Sequence, residues 1–185
     1  MSDIFNTAPP QIRNETAQEF LYKYYGISGS LDRLSSDRDL NLKITSPDGV
    51  FVMKIANSSE DKNILEMQNM AIRHISSQND DFELPTPLSS NQNKEILIIQ
   101  DGNNKYLVRL LTYIEGDFLK DVKQNNKMLF SVGEFLGNLD RALESFSHNA
   151  SEREFIWDAA QIDTLSHQLK YSKSDKSLIQ FFINT

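Results

Sequence analysis

The chain has 185 residues, of which 39% are hydrophobic and 24% are charged, and this ordinary globular composition excludes global disorder and fibrous repeats. Its formal net charge of -7 argues against nucleic acid or an anionic membrane surface as the main partner. Because there is no cysteine, and because the three histidines show no metal-ligand spacing, we expect no disulfide, no thiolate chemistry and no transition-metal site.

The first part of the chain predicts a helix followed by antiparallel strands. Asn14 can cap a short helix with an apolar stripe, and Gly26 can stop it. Alternating apolar residues predict strands at 27–34, 40–45 and 50–55. The sequence "SPDG" between the last two strands has the residues of a tight turn, so we expect a β-hairpin there.

A second helix is predicted from Ser58 to about residue 76, with Asp61 three residues on as an imperfect capping box. Its apolar residues form a wide arc, which we expect to pack against the sheet. The members of this arc are Ile64, Met67, Met70, Ala71, Ile72 and Ile75. Glu66 lies just outside the edge of the arc.

The stretch "EILIIQDGNNKYLVRLLTYIEG" predicts a second hairpin that turns at "DGNN", which brings the sheet to about five strands. Beyond Gly116, "KMLFSVGEFLGNLDRALESFSH" predicts a long amphipathic helix. Further helical segments end in the apolar "SLIQFFINT", and we expect self-association through these C-terminal helices. The fold class is therefore α+β. No stretch has the roughly 18 apolar residues of a membrane span, and no signal peptide is recognised, so a cytoplasmic protein is expected.

Lys54 projects from a strand face that is otherwise apolar, because it shares that face with Val50 and Val52. An unpaired charge out of water costs several kcal/mol, so the ammonium needs a carboxylate partner or an anionic ligand. We expect Glu66 to lie within salt-bridge reach, or one rotamer change away. The alternatives are a lysine that extends to solvent and a glutamate on a solvated helix face next to Arg73.

The order of these features is that of the protein-kinase-like arrangement: hairpin, strand lysine, helix glutamate, second hairpin, short hinge and helical region. The segments "DRDLNLKI", "FVMKIANSS", "ILEMQNMAI", "YLVRLLTYIEG", "LGNLDRALESF" and "FIWD" resemble the first half of the aminoglycoside phosphotransferase and choline kinase family. This resemblance implies a kinase-like N-terminal lobe with a five-stranded antiparallel sheet, followed by the first helices of a C-terminal lobe. It further implies ATP or another nucleoside triphosphate with magnesium as cofactor, and a small hydroxyl-bearing substrate.

The resemblance also divides the chain and assigns its main nucleotide contacts. It implies an N-terminal helical extension at 1–30, a nucleotide-binding lobe and hinge at 31–116, and an incomplete helical segment at 117–185. Lys54 would bind the phosphates with Glu66 as its helix partner, and Val52 would cover one face of the base.

Further residues are assigned to the nucleotide by the same resemblance. Leu111 falls at the gatekeeper position, and the carbonyl of Thr112 and the amide of Ile114 would bond to the adenine edge. Ser35 and Ser36 lie in a polar turn where protein kinases have a glycine-rich loop, and they would contact phosphates. The alternative is that these serines only build a tight turn.

The catalytic loop and the magnesium-binding Asp motif of the family are not found in the sequence. "HNASEREF" and "WDAAQID" contain a histidine and aspartates, but their spacing does not match. We therefore predict no catalytic residue and no metal ligand in this chain, and weak nucleotide binding without magnesium dependence. A phosphotransferase is expected of the full-length protein. The alternatives are a catalytically inactive, kinase-derived binding module and the N-terminal part of a multidomain enzyme.

Overall fold

A computed structural model describes residues 7–78 and 82–153 of the chain. The chain divides into two compact units, Met1–Ser147 and His148–Thr185. The helices and strands described below all belong to the first unit. The domain boundaries expected near residues 30 and 116 stay predictions.

The first helix, α1, spans Asn14–Tyr25 and ends as the sequence predicts. Gly26 adopts a left-handed conformation with φ +70°, and its N–H donates to the Tyr22 carbonyl at 2.9 Å. Asn14 is already helical, however, and Arg13 occupies the N-cap without a side-chain capping bond. The prediction that Asn14 caps the helix is therefore wrong.

Three strands, β1 (Ser30–Leu34), β2 (Leu40–Ser46) and β3 (Gly49–Ile55), follow as an antiparallel meander. Only Pro47 and Asp48 separate β2 from β3, as expected for the turn sequence "SPDG". The predicted hairpin is confirmed, and each of its strands extends one residue further toward the turn.

The first strand begins at Ser30, three residues later than predicted. Ile27 is buried in the core instead of pairing with β2. Gly29 approaches β2 so closely that a Cβ atom there would lie 2.3 Å from the Thr45 carbonyl oxygen. This close approach requires glycine at the entry to the sheet.

The second helix, α2, spans Lys62–Gln78 and not 58–76. Asp61 Oδ1 accepts from the Asn63 N–H at 2.9 Å, so Asp61 caps the helix. The buried residues of α2 are Ile64, Leu65, Asn69 and Ile75. Met70, a member of the predicted apolar arc, is 47% exposed. The buried face of α2 is therefore centred on different residues from the apolar arc that hydrophobicity alone predicts.

The second hairpin consists of β4 (Leu97–Asp101) and β5 (Asn104–Thr112). Its turn contains Gly102 with φ +57°, as the "DGNN" sequence predicts. All strand pairs are antiparallel, in the order β1-β2-β3-β5-β4. The five-stranded antiparallel sheet and the α+β class are confirmed.

One face of the sheet forms the hydrophobic core together with α1. Alternation along the strands points their apolar side chains to this face, where burying each one contributes roughly 1.5–3 kcal/mol. The buried members are Ile12, Ala17, Phe20, Leu21, Ile27, Leu40, Leu42, Ile44, Phe51, Met53, Ile55, Leu97, Ile99, Val108 and Leu110.

The third helix, α3, spans Asn126–Leu143 and contacts α2. Asn125 caps it by accepting from the Met128 N–H at 2.9 Å. The predicted amphipathic helix is confirmed, although its last predicted residues lie beyond its end. None of its residues is buried, and Phe130 is 73% exposed. Within the described ranges, no helix has the length and apolar character needed to cross a membrane.

Candidate nucleotide site

The candidate site lies on the sheet face opposite the core. Lys54 on β3 pairs in register with Asn41 on β2 and with Arg109 on β5. Its Nζ donates to Asn41 Oδ1 at 3.2 Å. The strand register therefore places a polar acceptor on one side of the ammonium and a second cation on the other.

The surroundings of Lys54 disfavour its charge. Burial lowers the pKa of Lys54, the nearby Asp39 carboxylate raises it, and the charge of Arg109 lowers it. Asp39 Oδ1 accepts from the backbone N–H of Asn57 at 3.0 Å. Among the described residues no carboxylate forms a salt bridge with Lys54. The ammonium is therefore partly desolvated and bonded to a neutral acceptor, and its contact with phosphates stays a prediction.

Glu66 does not pair with Lys54. It accepts from Lys62, one helical turn earlier, and its side chain is 40% exposed. A Lys54–Glu66 salt bridge is therefore not formed in this structure. That Glu66 reaches Lys54 after a rotamer change stays a prediction.

Arg109, which the sequence did not single out, bonds β5 to α2. Arg109 is only 4% exposed. Its guanidinium donates to Asn69 Oδ1 at 2.7 Å, to the Leu65 carbonyl at 3.3 Å and to Gln68 Oε1. The available signal was a charged residue inside the otherwise apolar "YLVRLLT" of a strand.

The predicted base cover, Val52, and the predicted gatekeeper, Leu111, are brought together. Val52 on β3 and Leu111 on β5 are register partners, two positions along the strands from Lys54 and Arg109. Leu111 is buried and Val52 is half-buried. Their side chains lie on the same sheet face as that of Lys54, next to it along the strands.

The predicted hinge follows directly from the end of β5. The Thr112 N–H donates to the Thr86 carbonyl at 3.0 Å, and the Thr112 hydroxyl accepts from the Thr86 N–H at 2.8 Å. The next residue, Tyr113, donates its N–H to the Val50 carbonyl at 3.0 Å. Ile114 is half-buried and lies just beyond the strand. These bonds fix the course of the chain out of the sheet.

Ser35 and Ser36 lie in the exposed turn between β1 and β2. Ser36 Oγ accepts from the Asp39 N–H at 3.3 Å, which is a common turn-building bond. Arg38 pairs with Glu60 at 3.4 Å and connects this turn to the segment before α2. The turn thus has an internal structural role, and a phosphate contact by the serines stays a prediction.

The described residues contain no preformed metal-ligand group. Within residues 7–78 and 82–153, no group of three or more histidine, aspartate or glutamate side chains is arranged to hold a metal ion. Magnesium in kinases is held by one or two carboxylates together with substrate phosphates, so the absence of a magnesium ligand from this chain stays a prediction.

Comparison with known proteins shows similarity to kinases in sequence and in fold. No protein-family model matches the chain. The sequence is 28% identical over 176 residues to the hydroxylysine kinase of Danio rerio, covering 90% of this chain and 50% of that protein. It is 29% identical over 190 residues to the hydroxylysine kinase of Xenopus laevis, covering 92% of this chain and 51% of that protein.

Solved structures show the same fold. An amicoumacin kinase in complex with AMP-PNP and Ca2+ superposes with a TM-score of 0.67 at 13% identity, covering 89% of this chain and 56% of that one. A microcompartment-associated aminopropanol kinase superposes with a TM-score of 0.61 at 11% identity, covering 87% of this chain and 59% of that one. The chain has the fold of the aminoglycoside phosphotransferase-like kinases. The resemblance to this family that the sequence indicated is confirmed.

A spectinomycin phosphotransferase in complex with ADP and spectinomycin shares this kinase-like fold, with a TM-score of 0.58 at 15% identity over 95% of this chain and 53% of that one. The chain spans about half the length of the curated relatives it matches. The similarity therefore concerns the part of the kinase-like fold that contains Lys54 and the five-stranded sheet.

Proposed function

We propose that the chain is the nucleotide-binding part of an ATP-dependent small-molecule O-phosphotransferase. The observation that carries the proposal is the partly desolvated Lys54 ammonium, which lies beside the apolar pair Val52 and Leu111 on one sheet face. A cation next to an apolar surface suits a nucleotide, which joins an anionic phosphate chain to a flat base. Similarity to kinases by sequence and by fold supports the same assignment.

In this proposal each group has one physical task. Lys54 contacts the phosphates, where its low exposure to water strengthens the attraction. Val52 and Leu111 pack on the base, and Thr112 and Ile114 bond to its edge through the backbone. Magnesium, when bound in a kinase, neutralises the charge of the phosphates.

The acceptor is proposed to be a small amino alcohol. The relatives are named for hydroxylysine, and structural neighbours for aminopropanol, amicoumacin and spectinomycin. A choline-kinase-like acceptor belongs to the same chemical class. Since phosphate donors of this kind are cytoplasmic metabolites, we also propose a cytoplasmic location.

Calorimetry with ATP tests nucleotide binding directly. Base packing and two backbone bonds yield only modest affinity after the cost of immobilising the ligand, so we expect a Kd of about 0.1 to 1 mM. Magnesium should improve it little. Absence of binding at millimolar ATP would refute the proposal.

A phosphate-transfer assay with hydroxylysine, choline and an aminoglycoside tests the catalytic part. We expect no transfer by this chain, because its sequence lacks the motif whose aspartate accepts the substrate hydroxyl proton. Turnover, or tight magnesium-dependent binding, would show that catalytic groups are present that neither the motifs nor the described residues reveal. Binding without transfer fits both a nucleotide-binding part and an inactive binding module, and activity of a longer natural protein would separate these two.

A further inference from the structure

Arg109 has no task in nucleotide binding as proposed above, yet it is the most completely buried cation of the site. Three acceptors on one helix surround its guanidinium: a backbone carbonyl and two side-chain amide oxygens, from Leu65, Gln68 and Asn69. A buried guanidinium is costly unless its donors are satisfied. These bonds therefore make the position of α2 depend on Arg109.

Asn69 extends this connection through the helix. Its Oδ1 accepts from Arg109, and its Nδ2 donates to Glu95 Oε2 at 3.1 Å. Glu95 precedes β4 and also forms an ion pair with Arg73 of α2. Because the amide oxygen faces a cation and the amide nitrogen faces a carboxylate, the orientation of the Asn69 amide is fixed from both sides. The network thus anchors α2 to both β5 and the entry of β4.

The bonds of Arg109 fix the rotation of α2 about its own axis. Residues 65, 68 and 69 face β5, and successive helical residues are separated by about 100° around the axis. Glu66 therefore lies to one side of the contact, where it meets Lys62. The helix contacts the Lys54 strand region through an arginine of the neighbouring strand and not through its own glutamate.

We propose that Arg109 is a positioning residue of the nucleotide site, which fixes the rotation and distance of α2 relative to the strands that carry Lys54, Val52 and Leu111. The expected effect of Arg109 on ATP affinity rests on the proposed nucleotide-binding function, whereas its expected effect on the position of α2 does not. A planar guanidinium is needed because its fork bonds several acceptors at once, which the single ammonium of lysine cannot do in the same geometry.

The experiment compares Arg109→Met and Arg109→Lys with a control, Arg33→Met. Arg33 lies on β1 and donates to the Ile12 carbonyl at 2.7 Å, so it is a strand arginine away from the site. Amide hydrogen exchange of α2 and α1, melting temperature and ATP affinity are measured for each chain. Asn69→Leu is the second variant, because it removes the 2.7 Å bond while Arg109 keeps other acceptors.

We expect both Arg109 variants to speed exchange in α2 but not in α1, and to weaken ATP binding by about fivefold. Asn69→Leu should show a smaller effect in the same direction, and Arg33→Met should leave α2 exchange and affinity unchanged. Unchanged α2 exchange and ATP affinity in Arg109→Lys would overturn the proposal, because a positive charge alone would then be enough to position the helix. A lower melting temperature with unchanged α2 exchange would also overturn it. If the Arg109 variants do not fold, Asn69→Leu provides the test. Faster α2 exchange in that variant would support the proposal, and unchanged α2 exchange would overturn it.

The two proposals can fail separately. If the unsubstituted chain binds no ATP, the proposed function fails, and α2 exchange still tests whether Arg109 positions the helix. If the chain binds ATP and the Arg109 variants bind it equally well, only the positioning role is lost.

Discussion

Lys54 and Arg109 are register partners on neighbouring strands, yet their cationic groups are bonded to different elements. The Lys54 ammonium donates to Asn41 on β2, whereas the Arg109 guanidinium donates to α2. Burial lowers the pKa of both side chains, and the charge of Arg109 lowers the pKa of Lys54 further. The guanidinium of Arg109 is held by its acceptors on α2. Of the two cations, we therefore expect Lys54 to bind a ligand.

Replacing Lys54 by Met tests its role. We expect the free energy of unfolding to be unchanged or higher, because methionine has a similar length and no charge to desolvate. ATP affinity should fall by about tenfold or more, as measured by calorimetry. The control is Lys105→Met, which removes an exposed lysine of β5. A large loss of melting temperature with unchanged ATP binding would favour a structural role for Lys54.

Replacing Glu66 by Gln distinguishes between the two partners considered for Glu66, which are Lys62 and Lys54. Because Glu66 pairs with Lys62 at the surface, we expect a stability change below about 0.5 kcal/mol. ATP affinity should stay within about twofold of that of the unsubstituted chain. Lys62→Met is the matched control, since it breaks the same surface pair and keeps the carboxylate. A loss as large as that of Lys54→Met would show that Glu66 turns to Lys54 when nucleotide binds.

Tyr25 should make the free energy of unfolding depend on pH in the alkaline range. Burial raises the pKa of Tyr25 from 10.0 to about 12, an effect that the Leu110 backbone opposes weakly. The unfolded chain loses this proton near pH 10 while the folded chain keeps it, so the free energy of unfolding should fall as pH rises from 10 to 12. Denaturant unfolding across this range, with tyrosinate absorbance, measures the effect.

The variant Tyr25→Phe should reduce this alkaline loss, and Tyr22→Phe should not, because Tyr22 is 66% exposed. The Tyr25 hydroxyl is buried, and although the Leu110 backbone lies near enough to lower its pKa, no hydrogen bond of normal geometry is made to it within residues 7–78 and 82–153, so the phenylalanine variant should be as stable as the unsubstituted chain near neutral pH, or more stable. An identical alkaline loss in both variants would contradict the assignment to Tyr25.

Gly29 should not tolerate a side chain. Alanine there would place its Cβ 2.3 Å from the Thr45 carbonyl oxygen, so β1 or β2 must shift, and we expect a loss of about 1–3 kcal/mol. Gly137→Ala is the control: that site in α3 is open, and the helical preference of alanine should raise stability by about 0.5–1 kcal/mol. Urea unfolding of the two variants measures both changes, and equal stabilities would refute the steric argument.

Self-association was expected from the last apolar segment, "SLIQFFINT", which lies outside the described residues. The described part adds the exposed apolar side chains of α3, which are Leu129, Phe130, Phe135 and Leu136. We expect light scattering to show mass increasing with concentration, and Phe130→Glu to reduce it. The control Glu134→Gln changes a polar residue of the same helix. A strictly monomeric chain at high concentration would contradict this prediction.

The sheet was predictable because its signals are local. "SPDG" and "DGNN" each fix a two-residue turn, and alternation then assigns Lys54 to the face opposite the core. The rotation of α2 was not predictable in this way. It depends on the polar bonds of Arg109 to Asn69, and hydrophobic periodicity assigns no weight to a buried asparagine while it favours the exposed Met70.

The same limit explains why Glu66 was assigned to Lys54. The spacing between a strand and the following helix shows that two residues are near each other, but not which side of the helix is turned to the strand. Lys62, four residues before Glu66, offered a local partner that needed no tertiary contact. Only coordinates decide between a local and a tertiary partner for such a carboxylate.

The first strand has a further consequence for the behaviour of the chain in solution. β1 is the edge of the sheet on one side, it is five residues long, and Asp32 and Arg33 are both exposed on it. An open edge can act as a template for strands of other molecules, which leads to amyloid-like growth. A short edge with charges of both signs is a poor template, so association of this chain should leave its β content unchanged and should not nucleate fibrils.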